Sequence, residues 1–344
     1  MILLWGLPGD SPLTRVRSAL CQRGAATTFI DQRNILDTEV ELCVNGAVAG
    51  TVRTPNQVVQ LDQVTAAYLR PYSSVQVPVV ERAGPFSAAW QHAVGVDDAL
   101  MSWADSAPAY VVNRPAAMAT NSAKPYQSLF IEAIGFAVPA TLITTDPVAV
   151  KQFWAEHTDV VFKSLSGIRS IVSRLGECHI ARLDRVRWCP TQFQQYIQGN
   201  DYRVHVVGDA VFASEISSAA DDYRYATRQG HGVEVRACEL PQDVADRCRA
   251  LTTSLGLHVA GIDFRRDPDG RWYCFEVNPS PAFTYYQAAT DQPIGEAIAD
   301  LLIRQSSAAS VQRDDKAENQ SVMTNNNGLE ERDATPSGLV EYQH

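Results

Sequence analysis

Long apolar runs and paired cysteines are both missing from this 344-residue sequence. A membrane-spanning helix needs about 20 consecutive apolar residues, and no run approaches that length. The seven cysteines form no Cys-x-x-Cys pair, which is typical of reduced thiols and not of a disulfide framework or a zinc site. Residues 1–6 also lack the basic region and the small-residue cleavage site of a signal peptide. We therefore expect a cytoplasmic protein with no membrane partner.

Positive charge is also scarce, since 29 Lys and Arg residues face 39 Asp and Glu residues, for a net charge of -10. This balance argues against broad nucleic-acid binding, although basic residues that converge locally can still hold an anionic ligand. Part of the acidity lies in 305–344, which has seven acidic residues, three basic residues and few large apolar ones. Such a segment cannot bury enough surface to offset the entropy of ordering, so we predict a disordered acidic tail.

The order of strand and helix patterns predicts an α/β (α+β) protein with several subdomains. Residues 1–88 alternate short apolar strands with helical spacing, which predicts a small α/β domain with a mixed sheet. A linking helix and strand follow at 89–112. The remaining subdomains are predicted at 113–190 and 191–304, and the second is mainly strand. The sequence has no internal repeat.

The strongest chemical signal is an acidic hairpin at 261–278. Two β-rich runs flank the turn sequence Asp267-Pro-Asp-Gly270. A two-residue turn would place Asp263 directly opposite Glu276, and a four-residue turn would make the pair diagonal on the same face. Asn278 follows on that face because strand side chains alternate. Facing carboxylate and amide oxygens suit a magnesium ion.

The hairpin by itself leaves a second interpretation open, in which the carboxylates lie on a solvated sheet face and pair with Arg265, Arg271 or another base. An odd-length loop or a one-residue bulge would separate the two carboxylates and remove the magnesium site. The opposite face is predicted to pack against the core through Ile262, Phe264, Phe275 and Val277.

Two lysines stand where phosphate contacts are expected. Lys163 ends a predicted strand, and the loop Ser164-Leu-Ser-Gly-Ile-Arg169 follows it, so loop amides and a lysine are available to phosphate oxygens. Lys124 begins a predicted helix. Neither signal is specific alone, because a lysine at a strand end is usually solvated. The Gly6-x-x-Gly9 pattern lacks the Gly-Lys-Ser/Thr of a phosphate loop and predicts a plain turn.

The segment 192–208 has features of a nucleoside-binding edge. Backbone groups of the Gln194-Gln-Tyr-Ile197 linker could read an adenine edge, and Asp201 could accept from ribose hydroxyls. Arg203 shares a strand face with His205. When the segment is taken alone, an ordinary amphipathic strand with exposed polar residues is the simpler interpretation.

In their order along the chain, these segments resemble the ATP-grasp superfamily, and within it the RimK-like glutamate ligases and the microviridin-type (graspetide) peptide ligases. The likeness covers about residues 110–303 and includes the ending Glu276-x-Asn278-Pro-Ser-Pro. Residues 1–75 more loosely resemble the small pre-ATP-grasp domain. The resemblance implies an ATP-grasp fold with the nucleotide site between two α+β subdomains.

By this resemblance, the site binds ATP and two magnesium ions. The expected ATP contacts are Lys124, Lys163, Ser166, Gly167, Gln194, Gln195, Tyr196, Ile197 and Asp201. The expected magnesium ligands are Asp263, Glu276 and Asn278. The expected catalytic residues are Lys163 and Arg203 near the transferred phosphoryl group and Arg224 on the substrate side.

Three positions depart from the resembling families. The loop after Lys163 has one glycine, Gly167, where many relatives have several. Gln194 replaces a glutamate, and Ala282 replaces a common glycine. These departures affect the loop contacts to phosphate, the adenine edge and the path of the last loop.

The implied activity is that of a ligase: a carboxylate takes the terminal phosphoryl group of ATP, and an amine or hydroxyl then attacks the acyl phosphate. A kinase that phosphorylates a hydroxyl would use nearly the same residues, and a nucleotide-binding protein without catalysis is a third alternative. We expect a carboxylate-bearing peptide or small molecule as the partner, with Arg169, Arg174 and Arg224 available to an acidic substrate. A homodimer through apolar residues of 86–103 also stays open.

Overall fold

The computed structural model describes residues 1–46, 48–164, 172–218 and 232–310. Its strands are β1 (Ile2–Gly6), β2 (Thr27–Asp31), β3 (Glu39–Val44), β4 (Val48–Thr54), β5 (Gln57–Gln60), β6 (Ala66–Arg70), β7 (Tyr110–Val112), β8 (Thr141–Thr144), β9 (Val160–Ser164), β10 (Ser173–Arg174), β11 (Thr191–Gln195), β12 (Asn200–Val207), β13 (Ala210–Ser218), β14 (Val233–Cys238), β15 (Val259–Arg266) and β16 (Trp272–Asn278). Its helices are α1 (Ser11–Gln22), α2 (Pro78–Ala83), α3 (Ala88–Ser106), α4 (Pro115–Met118), α5 (Lys124–Ala133), α6 (Pro147–His157), α7 (Glu177–Ile180), α8 (Gln242–Ser254), α9 (Thr284–Thr290) and α10 (294–310).

The N-terminal part is built on a parallel sheet with the strand order β2-β1-β6-β7. The strands β3, β4 and β5 form a separate antiparallel sheet, so the single mixed sheet predicted for this part is wrong. Short connections explain the separation, because antiparallel strands joined by tight turns such as Asn45-Gly46 pair with each other locally. The predicted turn at Gly6–Gly9 is confirmed, and it leads to Asp10, which caps α1 by accepting from Leu13 N at 2.8 Å.

The segment 89–112, predicted as a link, packs with the N-terminal part. The strand β7 extends the parallel sheet beside β6. The helix α3 buries Leu100 and Trp103 in the core beneath that sheet, whereas Phe86 and Val94 are exposed. Much of the apolar face considered for a homodimer is therefore buried within the chain.

Two antiparallel sheets form the rest of the fold, with the strand orders β10-β9-β11-β8 and β14-β13-β12-β15-β16. The helices α5 and α8 cover one face of the five-stranded sheet, and residues of α1, α9 and α10 pack against part of the other face. The predicted α+β class is confirmed.

The last helix continues to residue 310, past the boundary at 304 that composition predicted for the tail. The hydroxyls of Ser306 and Thr65 lie 2.6 Å apart, so a contact with the N-terminal part accompanies the extra helical turn. The remainder of the predicted tail, 311–344, lies outside the described residues.

All seven cysteines belong to the described residues and all are free, as predicted. Among the helices that the structure describes, none combines the length and the apolar character needed to cross a bilayer.

Candidate active site

A cleft lies between the antiparallel four-stranded sheet, β10-β9-β11-β8, and the five-stranded sheet. It encloses about 730 Å³ of space between the protein atoms, part of which is open solvent. Residues predicted to bind ATP or magnesium line it: Lys163, Gln194, Gln195, Tyr196, Ile197, Asp201, Asp263 and Glu276. Residues as far apart in the sequence as Lys163 and Glu276 therefore converge on one cavity.

The acidic hairpin has a turn that differs from both predicted geometries. Asp267 N donates to Arg271 O at 3.0 Å, so the loop between these residues contains three residues and ends at Gly270. Gly270 has φ +86°, a left-handed conformation that glycine adopts without strain. A loop of odd length, taken alone, would place Asp263 and Glu276 out of register.

A β-bulge restores the register. Phe264 pairs with Cys274, whereas the preceding residue Asp263 pairs with Glu276, so Phe275 is the extra residue on β16. One additional residue in the strand compensates for the odd loop. The predicted pairing of Asp263 with Glu276 is therefore confirmed, although by a route that the sequence analysis treated as incompatible with it.

The bulge also decides which side chains face the core. Ile262, Phe264 and Val277 are buried as predicted, but Phe275 lines the cleft and the prediction for this residue is wrong. Cys274 takes the core position and is fully buried. Burial raises the pKa of the Cys274 thiol well above its usual value, so this side chain is a neutral core residue.

Each carboxylate of the facing pair holds its own cation. Arg203 donates from Nη1 to Asp263 Oδ1 at 2.6 Å, and Lys124 Nζ lies 3.1 Å from Glu276 Oε2. Neither cation is one of the two hairpin arginines that the sequence analysis had considered. These ion pairs offset the repulsion that two facing carboxylates would otherwise produce.

The donor chemistry of the pair fits magnesium. Among the described residues, no group of three or more His, Cys, Asp or Glu side chains is placed to hold a metal. The protein thus offers two carboxylates and the nearby amide oxygen of Asn278, which accepts from Ser280 N at 2.9 Å. Magnesium commonly binds to one or two protein carboxylates and completes its shell with phosphate oxygens and water.

Two buried amides fix the end of β16. Gln127 of α5 donates to Val277 O at 2.7 Å and accepts from Val277 N at 2.8 Å. Asn113, which follows β7, donates to Pro279 O at 2.6 Å. Gln127 lies one helical turn after Lys124, so α5 holds this lysine beside the strand that carries the second carboxylate.

Lys163 reaches the cleft from β9. It lies opposite Gln192 of β11, a buried residue whose Oε1 has no hydrogen-bond partner within the described part of the chain. The predicted phosphate-loop residues Ser166 and Gly167 lie outside the described residues. The substrate-side candidates Arg169 and Arg224 also lie outside them, so these roles stay predictions.

The end of the cleft predicted for adenine is formed by β11 and the linker after it. Gln194 Nε2 donates to Thr141 Oγ1 at 2.9 Å, which leaves the amide oxygen of Gln194 available as an acceptor. Tyr196 lies beneath the guanidinium of Arg174, whose central carbon is 3.7 Å from the ring centroid. This cation–π contact fixes the tyrosine at the wall of the cleft.

Arg265 is a site residue that the sequence analysis did not identify as one. Its Nε and Nη2 donate to the two oxygens of Asp201, each at 2.8 Å, and its Nη1 donates to Ile197 O at 2.9 Å. One buried guanidinium thus joins the predicted ribose acceptor to the predicted adenine linker. Strand alternation placed Arg265 on the same face as Asp263, a signal that could have indicated this role.

The strand β12 places His205 beside Arg203. Arg203 Nε is 3.5 Å from His205 Nε2, and the Arg203 guanidinium lies 5.8 Å from the centroid of the Tyr286 ring. Burial, together with the nearby Arg203 charge, lowers the pKa of His205 well below its usual value. The imidazole is therefore neutral and able to accept from the arginine.

The pKa of Tyr202, on the same strand, shifts in the opposite direction from that of His205. Burial and its hydrogen bond to Glu215 raise the pKa of Tyr202 to about 12. The phenol therefore remains a donor, and it lies 2.7 Å from Glu215 Oε1.

Comparison with protein families gives one match that covers more than half of the chain. The sequence profile of the RimK-like ATP-grasp domain matches residues 119–302. This range includes every predicted site residue of the chain, from Lys124 to Asn278.

Curated relatives match over shorter stretches. N-acetylaspartylglutamate synthase A of Homo sapiens is 30% identical over 126 residues, which is 36% of this chain and 31% of that protein. The probable alpha-L-glutamate ligase 1 of Shewanella denitrificans is 32% identical over 120 residues, which is 34% of this chain and 40% of that protein. The chain thus spans less than half the length of these two relatives.

A solved structure matches over a greater length. The ATP-grasp ligase PsnB complexed with minimal precursor has a TM-score of 0.76 and 27% sequence identity. The match covers 89% of this chain and 98% of PsnB. The ATP-grasp architecture predicted from the sequence is confirmed.

Proposed function

Because the chain belongs to the RimK-like ATP-grasp family, we propose that it is an ATP-dependent ligase that joins a carboxylate to an amine through an acyl phosphate. The single observation that carries this proposal is the facing pair of Asp263 and Glu276 at the wall of the cleft. Such a pair has a clear use where phosphate charge and metal ions meet.

The binding roles follow from the side chains that line or adjoin the cleft. Lys124 and Lys163 would hold phosphate oxygens, and Asp201 would accept from ribose hydroxyls. The Gln194 amide oxygen would accept from the adenine amine, since its nitrogen is already engaged with Thr141. Gln195, Tyr196 and Ile197 would complete the adenine edge of the site.

Asp263, Glu276 and Asn278 would hold two magnesium ions, which when bound neutralise charge on the ATP phosphates. The present partners of the two carboxylates, Arg203 and Lys124, would then be released toward the phosphate oxygens. Each carboxylate therefore has a cationic neighbour both with and without magnesium.

The chemistry is a transfer followed by a substitution. A substrate carboxylate oxygen attacks the terminal phosphorus of ATP, the bond from that phosphorus to the bridging oxygen breaks, and ADP leaves. The amine nitrogen then attacks the acyl carbon, phosphate leaves with the carbon–oxygen bond pair, and the nitrogen loses a proton to give an amide. Arg203 and Lys163 would stabilise the charge that builds on the transferred phosphoryl oxygens.

The substrate proposed here is a peptide with an acidic side chain. The structural neighbour PsnB was solved with a precursor, and it matches nearly the whole length of this chain's described fold. Arg174, which stacks on the cleft residue Tyr196, and Arg169 and Arg224 are the proposed contacts for the substrate carboxylates. We propose a cytoplasmic location because all seven cysteines are free thiols.

Calorimetry of ATP binding with and without magnesium tests the site without knowledge of the substrate. We expect wild-type protein to bind ATP more tightly with magnesium, and Glu276→Gln to lose most of that difference. Glu132→Gln, at an exposed glutamate of α5, is the matched control and should behave as wild type. If wild-type protein binds no ATP under either condition, the ligase proposal is wrong.

Hydroxylamine distinguishes the ligase from the kinase, whose site residues are nearly the same. In the presence of ATP, magnesium and an acidic peptide, an acyl phosphate is trapped as a hydroxamate. A stable phosphorylated product with no hydroxamate would instead indicate a kinase.

A further inference from the structure

Arg70 connects the N-terminal parallel sheet to the segment that follows the metal-binding strand. It is the last residue of β6, and its side chain is 9% exposed. Its Nη1 donates to Ser280 Oγ at 2.8 Å and to Pro281 O at 3.2 Å. These contacts join residues that are 210 and 211 positions apart.

The other side of the same guanidinium is held by Asp10. Arg70 Nε donates to Asp10 Oδ1 at 2.7 Å, and Nη2 donates to Oδ2 at 3.3 Å. Asp10 is the N-cap of α1, and its side chain is 4% exposed. A buried ion pair costs desolvation energy, so its retention is explained best by geometry that it enforces.

The segment that Arg70 holds includes a proposed magnesium ligand. Ser280 N donates to Asn278 Oδ1 at 2.9 Å, so the residue fixed by Arg70 in turn fixes the amide of Asn278. Asn113 and Gln127 hold Pro279 and Val277 from other elements. Arg70 and Asn113 both reach this segment from the N-terminal parallel sheet, since Arg70 ends β6 and Asn113 directly follows β7, but only Arg70 contacts Ser280 and Pro281.

Two other ion pairs join the same parts of the chain without touching this segment. Arg15 of α1 pairs with Glu296 of α10, and Arg23, the residue that directly follows α1, pairs with Asp300 of α10. Both pairs are considerably more exposed than the Arg70 pair. They offer a matched comparison, because they link the same domains but reach no residue between 276 and 281.

We propose that Arg70 is a positioning residue for the magnesium-binding segment, through which the N-terminal domain sets how tightly magnesium binds together with ATP. This inference rests on the proposed function, since it assumes that Asn278 binds magnesium. Arg70 is not one of the residues that line the cleft; it acts through Ser280, whose backbone nitrogen orients the amide of Asn278. Partners that orient metal ligands typically change metal affinity by roughly 10- to 100-fold when they are lost.

The test uses full-length protein and measures the magnesium concentration that half-saturates the gain in ATP affinity, by calorimetric titration at several magnesium concentrations. Arg70→Lys keeps a charge beside Asp10 but loses the fork that also reaches Ser280 and Pro281. Ser280→Ala removes only the hydroxyl and keeps the backbone nitrogen that holds Asn278. Arg23→Gln is the control that breaks an interdomain ion pair elsewhere.

We expect the magnesium requirement of Arg70→Lys to rise by roughly 10-fold or more, that of Ser280→Ala to rise less, and that of Arg23→Gln to stay at the wild-type value. ATP affinity without magnesium should be the same in the wild type and the three variants. A general loss of structure would instead lower this affinity too. If circular dichroism shows that Arg70→Lys is unfolded, the magnesium requirement of Ser280→Ala alone tests the proposal.

Wild-type magnesium requirements in both Arg70→Lys and Ser280→Ala would overturn the inference. An equal rise in the magnesium requirement of Arg23→Gln would overturn it as well, because any contact between the domains would then have the same effect as Arg70. Absence of any magnesium effect in the wild-type protein is a different outcome, since it would refute the proposed function on which this inference depends.

Discussion

Asp263 lies directly opposite Glu276 in the ladder of β15 and β16, although the loop that joins these strands contains an odd number of residues. The bulge at Phe275 supplies the missing residue and restores the pairing. The same bulge turns the Phe275 ring toward the cleft. Both the facing carboxylate pair and part of the cleft wall therefore depend on one irregularity in one strand.

Replacing Phe275 should weaken nucleotide binding more than it weakens the fold. Phe275 lines the cleft and is not part of the core, so we expect Phe275→Ala to reduce ATP affinity by about 1 kcal/mol, or roughly fivefold. Calorimetry gives the ATP affinity, and urea unfolding gives the stability.

Phe264→Ala is the matched core variant, because Phe264 is 1% exposed and packs in the core between the five-stranded sheet and its helices. It should lower the free energy of unfolding by about 3–5 kcal/mol. An equal loss of stability in Phe275→Ala would show that this ring belongs to the core after all.

Arg265→Lys should weaken ATP binding with or without magnesium. The lysine keeps the charge but cannot donate at once to both oxygens of Asp201 and to the Ile197 carbonyl. We expect at least a tenfold loss of affinity, about 1.4 kcal/mol, by calorimetry. Arg266→Lys, at the exposed neighbouring position, is the control; a similar loss there would contradict the role assigned to Arg265.

Gln127→Ala should destabilise the fold and displace the lysine that precedes it on α5. The substitution leaves the buried N–H and C=O of Val277 without partners, at a cost of about 1–3 kcal/mol for each group. Urea unfolding measures this cost, and ATP affinity reports on Lys124. Ser128→Ala removes a hydrogen bond within the same helix and should change neither quantity appreciably. If both variants lost the same stability and the same ATP affinity, the hydrogen bonds from Gln127 to Val277 would not have the role assigned to them.

His205 should make the protein less stable in acid. Its pKa is lowered in the folded protein by burial, so below the ordinary value of about 6.5 the unfolded chain takes up a proton there that the folded chain does not. This difference favours unfolding, and it grows as pH falls from about 6.5 toward the folded-state pKa. The contribution reaches about 1.4 kcal/mol per pH unit.

His205→Gln removes this proton uptake while keeping a neutral polar side chain. We expect its free energy of unfolding, measured in urea between pH 5 and 7.5, to decline less steeply in acid than that of the wild type. His258 has a lowered pKa for the same reason and should keep some of the slope in both proteins. Parallel slopes would mean that His205 is protonated in the folded state.

Local pattern was sufficient to predict much of the site. Strand alternation places Asp263 and Arg265 on one face of β15, and Asp201 and Arg203 on one face of β12. The turn sequence indicated the hairpin, and the order of the segments indicated the family. Alternation and turn sequences depend on residues close together in the chain, and the order of segments is itself a property of the sequence, so all of them can be read along the chain.

The same reasoning failed where two local irregularities cancel. Loop length and strand register are each set by small energy differences, and neither the three-residue loop nor the bulge has a strong signal in this sequence. Phe275 was assigned to the core for this reason. The prediction of a mixed N-terminal sheet was wrong for a similar reason, because β6 pairs with β1, a strand distant in the sequence, and not with the neighbouring β5.

The sequence by itself determined which chemical groups the site has: two facing carboxylates, two lysines and a linker suited to adenine, on an ATP-grasp fold. Only the tertiary structure decided their partners: Arg203 on Asp263, Lys124 on Glu276, Arg265 on Asp201 and Arg70 on the segment after β16. The physical reason is distance along the chain. Side-chain periodicity is a property of neighbouring residues, whereas these ion pairs and hydrogen bonds join positions from 60 to 210 residues apart, which only the packing of whole sheets brings together.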